Sequence, residues 1–103
     1  MYDKVIKGGT VVDGTGSKAF TADVAIKDGH IARVAAGLKR DDAIKTIDVK
    51  GMIVTPGLID MHVHVYNGTG ERNPYAGDRS VPPDGFTFRN GVTTVVDAGC
   101  SGW

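Results

Sequence analysis

The chain has 103 residues, enough for one domain of ordinary size, and its 41% hydrophobic residues argue against wholesale disorder. Its 12 basic and 12 acidic residues cancel, which excludes the electrostatic footprint of a protein that binds nucleic acid or an anionic membrane. It carries one cysteine, no stretch long enough for a secretory signal and no membrane span, so we expect a cytoplasmic protein without an internal disulfide.

The first half of the chain, residues 1–55, is predicted to consist of short strands joined by tight turns. Glycines, 15 in the whole chain, stand singly or in pairs between short apolar runs, which is typical of such turns. The clearest hairpin has Asp-Gly at its turn, a pair that suits a type I′ turn. Three strand–turn–strand units are predicted: 5–12 around Gly8-Gly9, 23–35 around Asp28-Gly29 and 46–55 around Gly51. We therefore expect antiparallel hairpins in a small β-sandwich or an open sheet.

The second half, residues 56–103, has a different character. Pro56-Gly57 interrupts the hairpin pattern and is the predicted boundary between the two segments. There follow an apolar strand over 58–65, a polar loop over 66–82, a short helix from Pro83 to about Asn90 and a buried strand over 92–97. Two buried strands separated by a helix predict a βαβ unit, which needs a continuing sheet to cover it. We expect an α/β fold and the N-terminal piece of a longer protein.

Two histidines on the first of these strands have the clearest chemical signature. Strand side chains alternate, so we expect one apolar face against covering helices and one face that becomes polar toward the carboxyl end. The apolar face would carry Ile59, Met61, Val63 and Val65, and the other Leu58, Asp60, His62 and His64. Imidazoles at positions i and i+2 can bind one metal ion, and Asp60 is placed to accept a hydrogen bond from a ligand. The alternative is a solvent-facing strand with two histidines, and His30 is predicted to be a surface residue.

The run from Pro56 to His64 resembles the signature of the amidohydrolase superfamily, whose members place Asp-x-His-x-His on strand one of a (β/α)8 TIM barrel. Segments 3–16 and 22–32 resemble the β-sandwich that flanks this barrel in hydantoinases, dihydroorotases and N-acyl-D-amino-acid deacylases, and 91–99 resembles barrel strand two. The resemblance covers nearly the whole chain. It implies a small β-sandwich over 1–55, followed over 56–103 by the first β/α unit and the second strand of a truncated TIM barrel.

The same resemblance implies a metal centre. His62 and His64 match ligands of the more buried metal, and Cys100 stands where some deacylases place a metal-ligating cysteine. Several relatives carry serine there and bridge their metals with a carboxylated lysine from a later strand. The alternative role for Cys100 is that of a small, buried apolar side chain. The implied cofactor is a divalent metal, zinc by its ligand chemistry, as one or two ions. The remaining ligands and a proton-shuttling aspartate would lie beyond Trp103, so no catalytic residue is assigned within this chain.

For the longer protein, the resemblance implies a metal-dependent hydrolase of amide (C–N, non-peptide) or acyl bonds that uses a metal-activated water. A deacetylase acting on N-acyl or O-acyl groups is favoured, and a cyclic amidase of the hydantoinase or dihydroorotase kind is the alternative. A further alternative is that the chain alone is an inactive, non-catalytic fragment, because two ligands do not close a site. The expected partner is a small-molecule substrate, not nucleic acid or a membrane, and a homo-oligomer is left open.

Overall fold

The computed structural model describes residues 1–65 and 80–99 and divides the chain into two compact units. Unit 1 is Met1–Pro56 and unit 2 is Gly57–Trp103. Most of the predicted polar loop, residues 66–79, lies outside the described residues. Among the described residues, no helix has the length and apolar character needed to cross a membrane.

Unit 1 is a single five-stranded mixed sheet. Its strands are β1 (Tyr2–Val11), β2 (Phe20–Lys27), β3 (His30–Ala35), β4 (Ala43–Asp48) and β5 (Ile53–Val54), with a 3₁₀ turn at Arg40–Asp42. The strand order is β3-β2-β1-β4. β4 pairs with the first part of β1, and β5 pairs with its last two residues, Thr10 and Val11. β2 runs antiparallel to β1 and β3, whereas β4 and β5 run parallel to β1. The described strands of residues 1–56 thus form one sheet.

Gly8-Gly9 makes a bulge in β1, so the hairpin predicted at this point is wrong. β2 pairs with β1 on both sides of these glycines, with a register shift between Ile6 and Gly9. Gly8 has a φ of 76°, which glycine adopts without strain. A Cβ on Gly9 would lie 2.5 Å from Cγ2 of Val54, so only glycine lets β5 approach this closely. The Gly-Gly pair thus serves as a bulge and a point of close approach.

The strand pair predicted around Gly51 is also wrong. The chain does turn there, because the Met52 N–H donates to the Val49 carbonyl (2.9 Å) and Gly51 has a φ of 82°. β4 and β5 nevertheless pair with β1, each in parallel, and not with each other. β1 is 10 residues long and therefore offers each short strand its own stretch of edge.

The hairpin predicted between β2 and β3 is confirmed. Asp28 and Gly29 occupy its turn with φ values of 50° and 75°, and positive φ at both central residues is what a type I′ turn requires. The Asp28 N–H also donates to the Asp3 carboxylate at 2.7 Å, which links the turn to β1. His30 follows the turn as an exposed residue, as predicted, with Nδ1 2.7 Å from the Asp28 carbonyl oxygen.

Asp23 is a buried charged residue that joins three parts of unit 1. Its carboxylate accepts hydrogen bonds from Lys7 Nζ at 3.0 Å, the Gly8 N–H at 2.7 Å and the Leu38 N–H at 2.9 Å. Burial raises the pKa of Asp23, but these hydrogen bonds and the Lys7 charge outweigh it and hold the pKa below the ordinary 3.8. The bulge in β1, strand β2 and the chain after β3 are therefore tied to one carboxylate.

The apolar core of unit 1 is small and is divided between the two faces of the sheet. One cluster consists of Val5, Ala25 and Leu38, and the other of Val11, Ala22 and Val24. Adjacent residues of β2 contribute to different clusters because strand side chains alternate between faces. Each cluster contains three buried residues, and the hydrogen bonds of Asp23 add polar links between the same strands.

Unit 2 contains two parallel strands with a short helix between them in sequence. β6 spans Leu58–Val63, α1 spans Pro83–Phe86, a 3₁₀ turn spans Thr87–Arg89 and β7 spans Val92–Asp97. Pro83 opens the helix, a position where its missing N–H and fixed φ cost nothing. A Cβ on Gly57 would collide with the side chain of Thr93, so this glycine lets the two strand starts approach. The predicted strand, helix and second strand are present in this order, but the predicted burial of the two strands is wrong, because every residue of β6 and β7 is half-buried or exposed.

Candidate metal-binding end of strand β6

β6 carries a bulge in the stretch that leads to the two histidines. Asp60 is opposite Val95 and Val63 is opposite Asp97, so β6 advances three residues while β7 advances two. Within the bulge, Oδ1 of Asp60 accepts a hydrogen bond from the His62 N–H at 3.0 Å. The predicted strict alternation along this strand is therefore wrong, because the extra residue puts Asp60 and Val63 on the same face.

The apolar face expected on β6 is broken up by the same bulge. Val63 is half-buried, whereas Ile59 and Met61 are 63% and 77% exposed. The helix described in unit 2 has four residues and is too short to cover a strand of six. Within the described residues, the expected helix packing on Ile59 and Met61 is thus not formed.

The backbone at the carboxyl end of β6 is held by three hydrogen bonds from outside the strand. The Ala98 N–H donates to the Val63 carbonyl at 2.8 Å, and the Val81 N–H donates to the His64 carbonyl at 2.9 Å. The Val65 N–H donates to Oδ2 of Asp97 at 2.9 Å. His64 therefore lies between two residues whose backbones are fixed to the end of β7.

The imidazole rings of His62 and His64 lie side by side at this strand end. Their centroids are 5.5 Å apart and their planes are 82° from parallel, an edge-to-face arrangement. Because Zn–N bonds are about 2.1 Å, two imidazoles on one tetrahedral ion have ring centroids about 5 Å apart. His62 is exposed and His64 is half-buried. The separation of the two ring centroids is thus close to that of two imidazoles on one ion.

The histidines border a cavity of about 280 Å³ in unit 2. Polar groups of β6 and apolar side chains of both strands and the helix form its wall together, including Asp60, His62, His64, Val63, Val95 and Phe86. The bulge explains this mixture, because it brings neighbouring residues of β6 to the same side. A small organic molecule would meet the two imidazoles and an apolar wall at the same time.

The donor set formed by the described residues fits a metal ion in part. Two imidazoles are good ligands for zinc. Residues 1–65 and 80–99 contain no group of three or more His, Cys, Asp or Glu side chains that could hold a metal. Cys100, the third predicted ligand, lies outside the described residues. Further ligands are therefore needed to complete the set.

No family model matches the chain, but the chain is similar to several curated and solved proteins. A dihydroorotase of Pelotomaculum thermopropionicum is 45% identical over 85 residues, which cover 81% of this chain and 20% of the relative. A deacetylase of Agrobacterium fabrum is 37% identical over 90 residues, covering 86% of this chain and 20% of the relative. The solved N-acyl-D-glutamate deacylase of Bordetella bronchiseptica, complexed with zinc and a phosphonate inhibitor, gives a TM-score of 0.73 at 34% identity and covers 96% of this chain and 19% of that one.

The chain corresponds to the N-terminal portion of amidohydrolase-superfamily proteins. It spans about a fifth of the length of the curated relatives that it matches. The recognition made from Pro56 to His64 is confirmed, and the amidohydrolase relatives are named as hydrolytic enzymes.

One residue of this amidohydrolase segment was missed in the sequence. Asp97 ends β7, and its carboxylate accepts hydrogen bonds from the Val65 N–H at 2.9 Å and the Gly99 N–H at 3.1 Å. A signal was present, because the carboxyl ends of parallel strands meet at one edge, and Asp97 and His64 both stand at such ends. Asp60 was predicted to accept a hydrogen bond, and its carboxylate accepts one from the backbone N–H of His62.

Proposed function

We propose that the full-length protein is a metal-dependent hydrolase of non-peptide C–N or acyl bonds. The observation that carries the proposal is the pair His62 and His64, whose rings lie 5.5 Å apart at the carboxyl end of a parallel strand. Active sites of parallel (β/α)8 barrels lie at this end of the strands. We accordingly propose that residues 1–55 belong to a small β-sandwich and that 56–103 supply the first β/α unit and second strand of a TIM barrel.

Within this proposal, His62 and His64 hold a divalent metal, and zinc is the ion that their chemistry and the zinc-bound deacylase favour. When bound, such an ion lowers the pKa of a coordinated water and polarises a substrate carbonyl. Asp60 fixes the His62 backbone through its 3.0 Å hydrogen bond and so orients that ligand. The apolar part of the cavity wall, including Val63 and Phe86, contacts the apolar part of the substrate.

We infer two substrate classes from the relatives named above. The deacetylase and the N-acyl-D-glutamate deacylase favour removal of an acyl group from nitrogen or oxygen. The dihydroorotase, at 45% identity, favours opening of a cyclic amide. We place the acyl hydrolase first and the cyclic amidase second. In both cases the partner is a small molecule, and we propose a cytoplasmic location.

The test is turnover by the zinc-loaded full-length protein on N-acetyl amino acids and an O-acetyl ester, beside dihydroorotate and hydantoin. We expect hydrolysis of the acyl substrates. His62→Ala and His64→Ala should each lower kcat/KM by more than about 100-fold, since even residues that only orient a metal ligand are worth 10- to 100-fold. His30→Ala is the matched control, because His30 is exposed and its ring contacts the carbonyl oxygen of Asp28 in the neighbouring turn.

Wild-type activity in both the His62→Ala and the His64→Ala protein would refute the proposal. Turnover of the cyclic amides alone would select the second candidate. The 103-residue chain by itself should be inactive, because its described ligands do not close a metal site. Cys100→Ser should weaken metal loading if Cys100 is a ligand, and unchanged stoichiometry and affinity would make it a packing residue.

A further inference from the structure

Asp97 links the two strand ends next to the histidines. Its Oδ2 accepts from the Val65 N–H, one residue after His64, at 2.9 Å, and its Oδ1 accepts from the Gly99 N–H at 3.1 Å. The two oxygens thus serve donors that follow different strands, β6 and β7. Asp97 is half-buried and is directly opposite Val63 in the register.

We propose that Asp97 is a positioning residue for the metal site, an inference that rests on the proposed function. The chain after His64 has left the β6–β7 ladder, since β6 ends at Val63. The Asp97 carboxylate replaces the missing strand pairing by holding the Val65 N–H. Together with the Val81 N–H on the His64 carbonyl, it holds both polar atoms of the peptide group that joins His64 to Val65. The ring of His64 is thereby kept at the separation from His62 that a shared ion requires.

Only a carboxylate can make this link in full. Each of its oxygens accepts a hydrogen bond, whereas an amide has one accepting oxygen and one donating NH₂ group. In Asp97→Asn, one of the two backbone N–H groups would face a donor. Residues that orient metal ligands are typically worth 10- to 100-fold in metal affinity, so Asp97→Asn should weaken zinc binding by about that factor.

The experiment uses the full-length protein and compares wild type, Asp97→Asn and Asp48→Asn. Asp48 is the matched control, because it also ends a strand and accepts a backbone N–H two residues on, from Lys50 at 3.0 Å, but it lies in unit 1. Zinc affinity is measured by competition with a chelator, ligand geometry by the absorption spectrum of the Co²⁺-substituted protein, and stability by thermal unfolding of the metal-free form. We expect a 10- to 100-fold weaker zinc affinity and an altered Co²⁺ spectrum for Asp97→Asn alone.

Wild-type affinity and spectrum in Asp97→Asn would overturn the inference. So would a weaker affinity with an unchanged Co²⁺ spectrum and a lower melting temperature, which would mark a purely structural residue. Should Asp97→Asn fail to fold, Asp97→Glu, which moves both oxygens by one methylene, takes its place with the same expected loss and the same refuting results. Zinc binding that is unaffected by His62→Ala and His64→Ala would instead refute the proposed function itself.

Discussion

Replacing Asp23 by alanine is the sharpest test of what holds unit 1 together. The side chain of Asp23 is 5% exposed, and its carboxylate accepts three hydrogen bonds, from Lys7 Nζ, the Gly8 N–H and the Leu38 N–H. Asp23→Ala removes the acceptor of all three hydrogen bonds at once. The bulge in β1 and the chain after β3 then lose their common partner, and the Lys7 ammonium keeps only the Leu38 carbonyl, at 2.6 Å.

The expected cost is about 3 kcal/mol of unfolding free energy. Breaking a buried ion pair by removing one partner typically costs about 3–5 kcal/mol, because a charge is left without compensation. The Lys7 side chain is 28% exposed and can regain some water, which places the value at the lower end of that range. For a domain of 60–100 residues, each kcal/mol shifts the melting temperature by about 4–8 °C, so a drop of about 15 °C is expected.

The assay is urea and thermal unfolding of this chain, followed by circular dichroism, with Asp48→Ala as the control. Asp48 forms an exposed pair with Arg40 at 3.4 Å, and both side chains are more than half exposed. Exposed pairs contribute roughly 0–1 kcal/mol, so Asp48→Ala should be nearly neutral. If Asp23→Ala destabilises the chain by no more than Asp48→Ala does, the carboxylate is not the organising group of unit 1.

Two further predictions concern the same unit. Because the pKa of Asp23 is lower in the folded state, the stabilisation from its carboxylate is complete above the ordinary pKa of 3.8 and is lost as pH falls through the folded value. Asp23→Asn should therefore weaken the loss of unfolding free energy at acidic pH. An unchanged loss would contradict this. Gly9→Ala should lower the unfolding free energy by about 1–3 kcal/mol through a clash of its Cβ with Val54. In urea unfolding, Val54→Ala in the same chain should recover part of that loss. Additive effects of the two substitutions would argue against the contact.

Turns were predictable where a few neighbouring residues determine them. Asp28-Gly29 and Pro83 each act through their own backbone preferences, and the structure has the hairpin and the helix start at these points. Gly8-Gly9 and Gly51 were predicted as hairpin turns and are not. Whether a glycine reverses the chain depends on which strand pairs beside it, and β1 is long enough to pair with β2 throughout and with β4 and β5 in succession.

The residues of the candidate site were predictable from local sequence, but the strand register around them was not. The spacing of His62 and His64 and the residues around them were sufficient to recognise the superfamily. The bulge at β6 was not foreseeable, because an extra residue becomes visible only against the register of β7. The parallel order of the strands indicates that Asp97 and His64 stand at one edge of the sheet. The hydrogen bond from the Val65 N–H to Asp97 nevertheless joins positions 32 residues apart, and no local pattern encodes that contact.

The central claim is that the histidine pair at the end of β6 binds a metal ion, and metal stoichiometry tests it most directly. Zinc content of the full-length protein is measured after dialysis against a weak chelator, for wild type, His62→Ala, His64→Ala and His30→Ala. We expect bound zinc in wild type and His30→Ala, and its loss, or an affinity at least about 100-fold weaker, in the two β6 variants. A full-length protein without metal, or variants at β6 that retain wild-type zinc, would contradict the account.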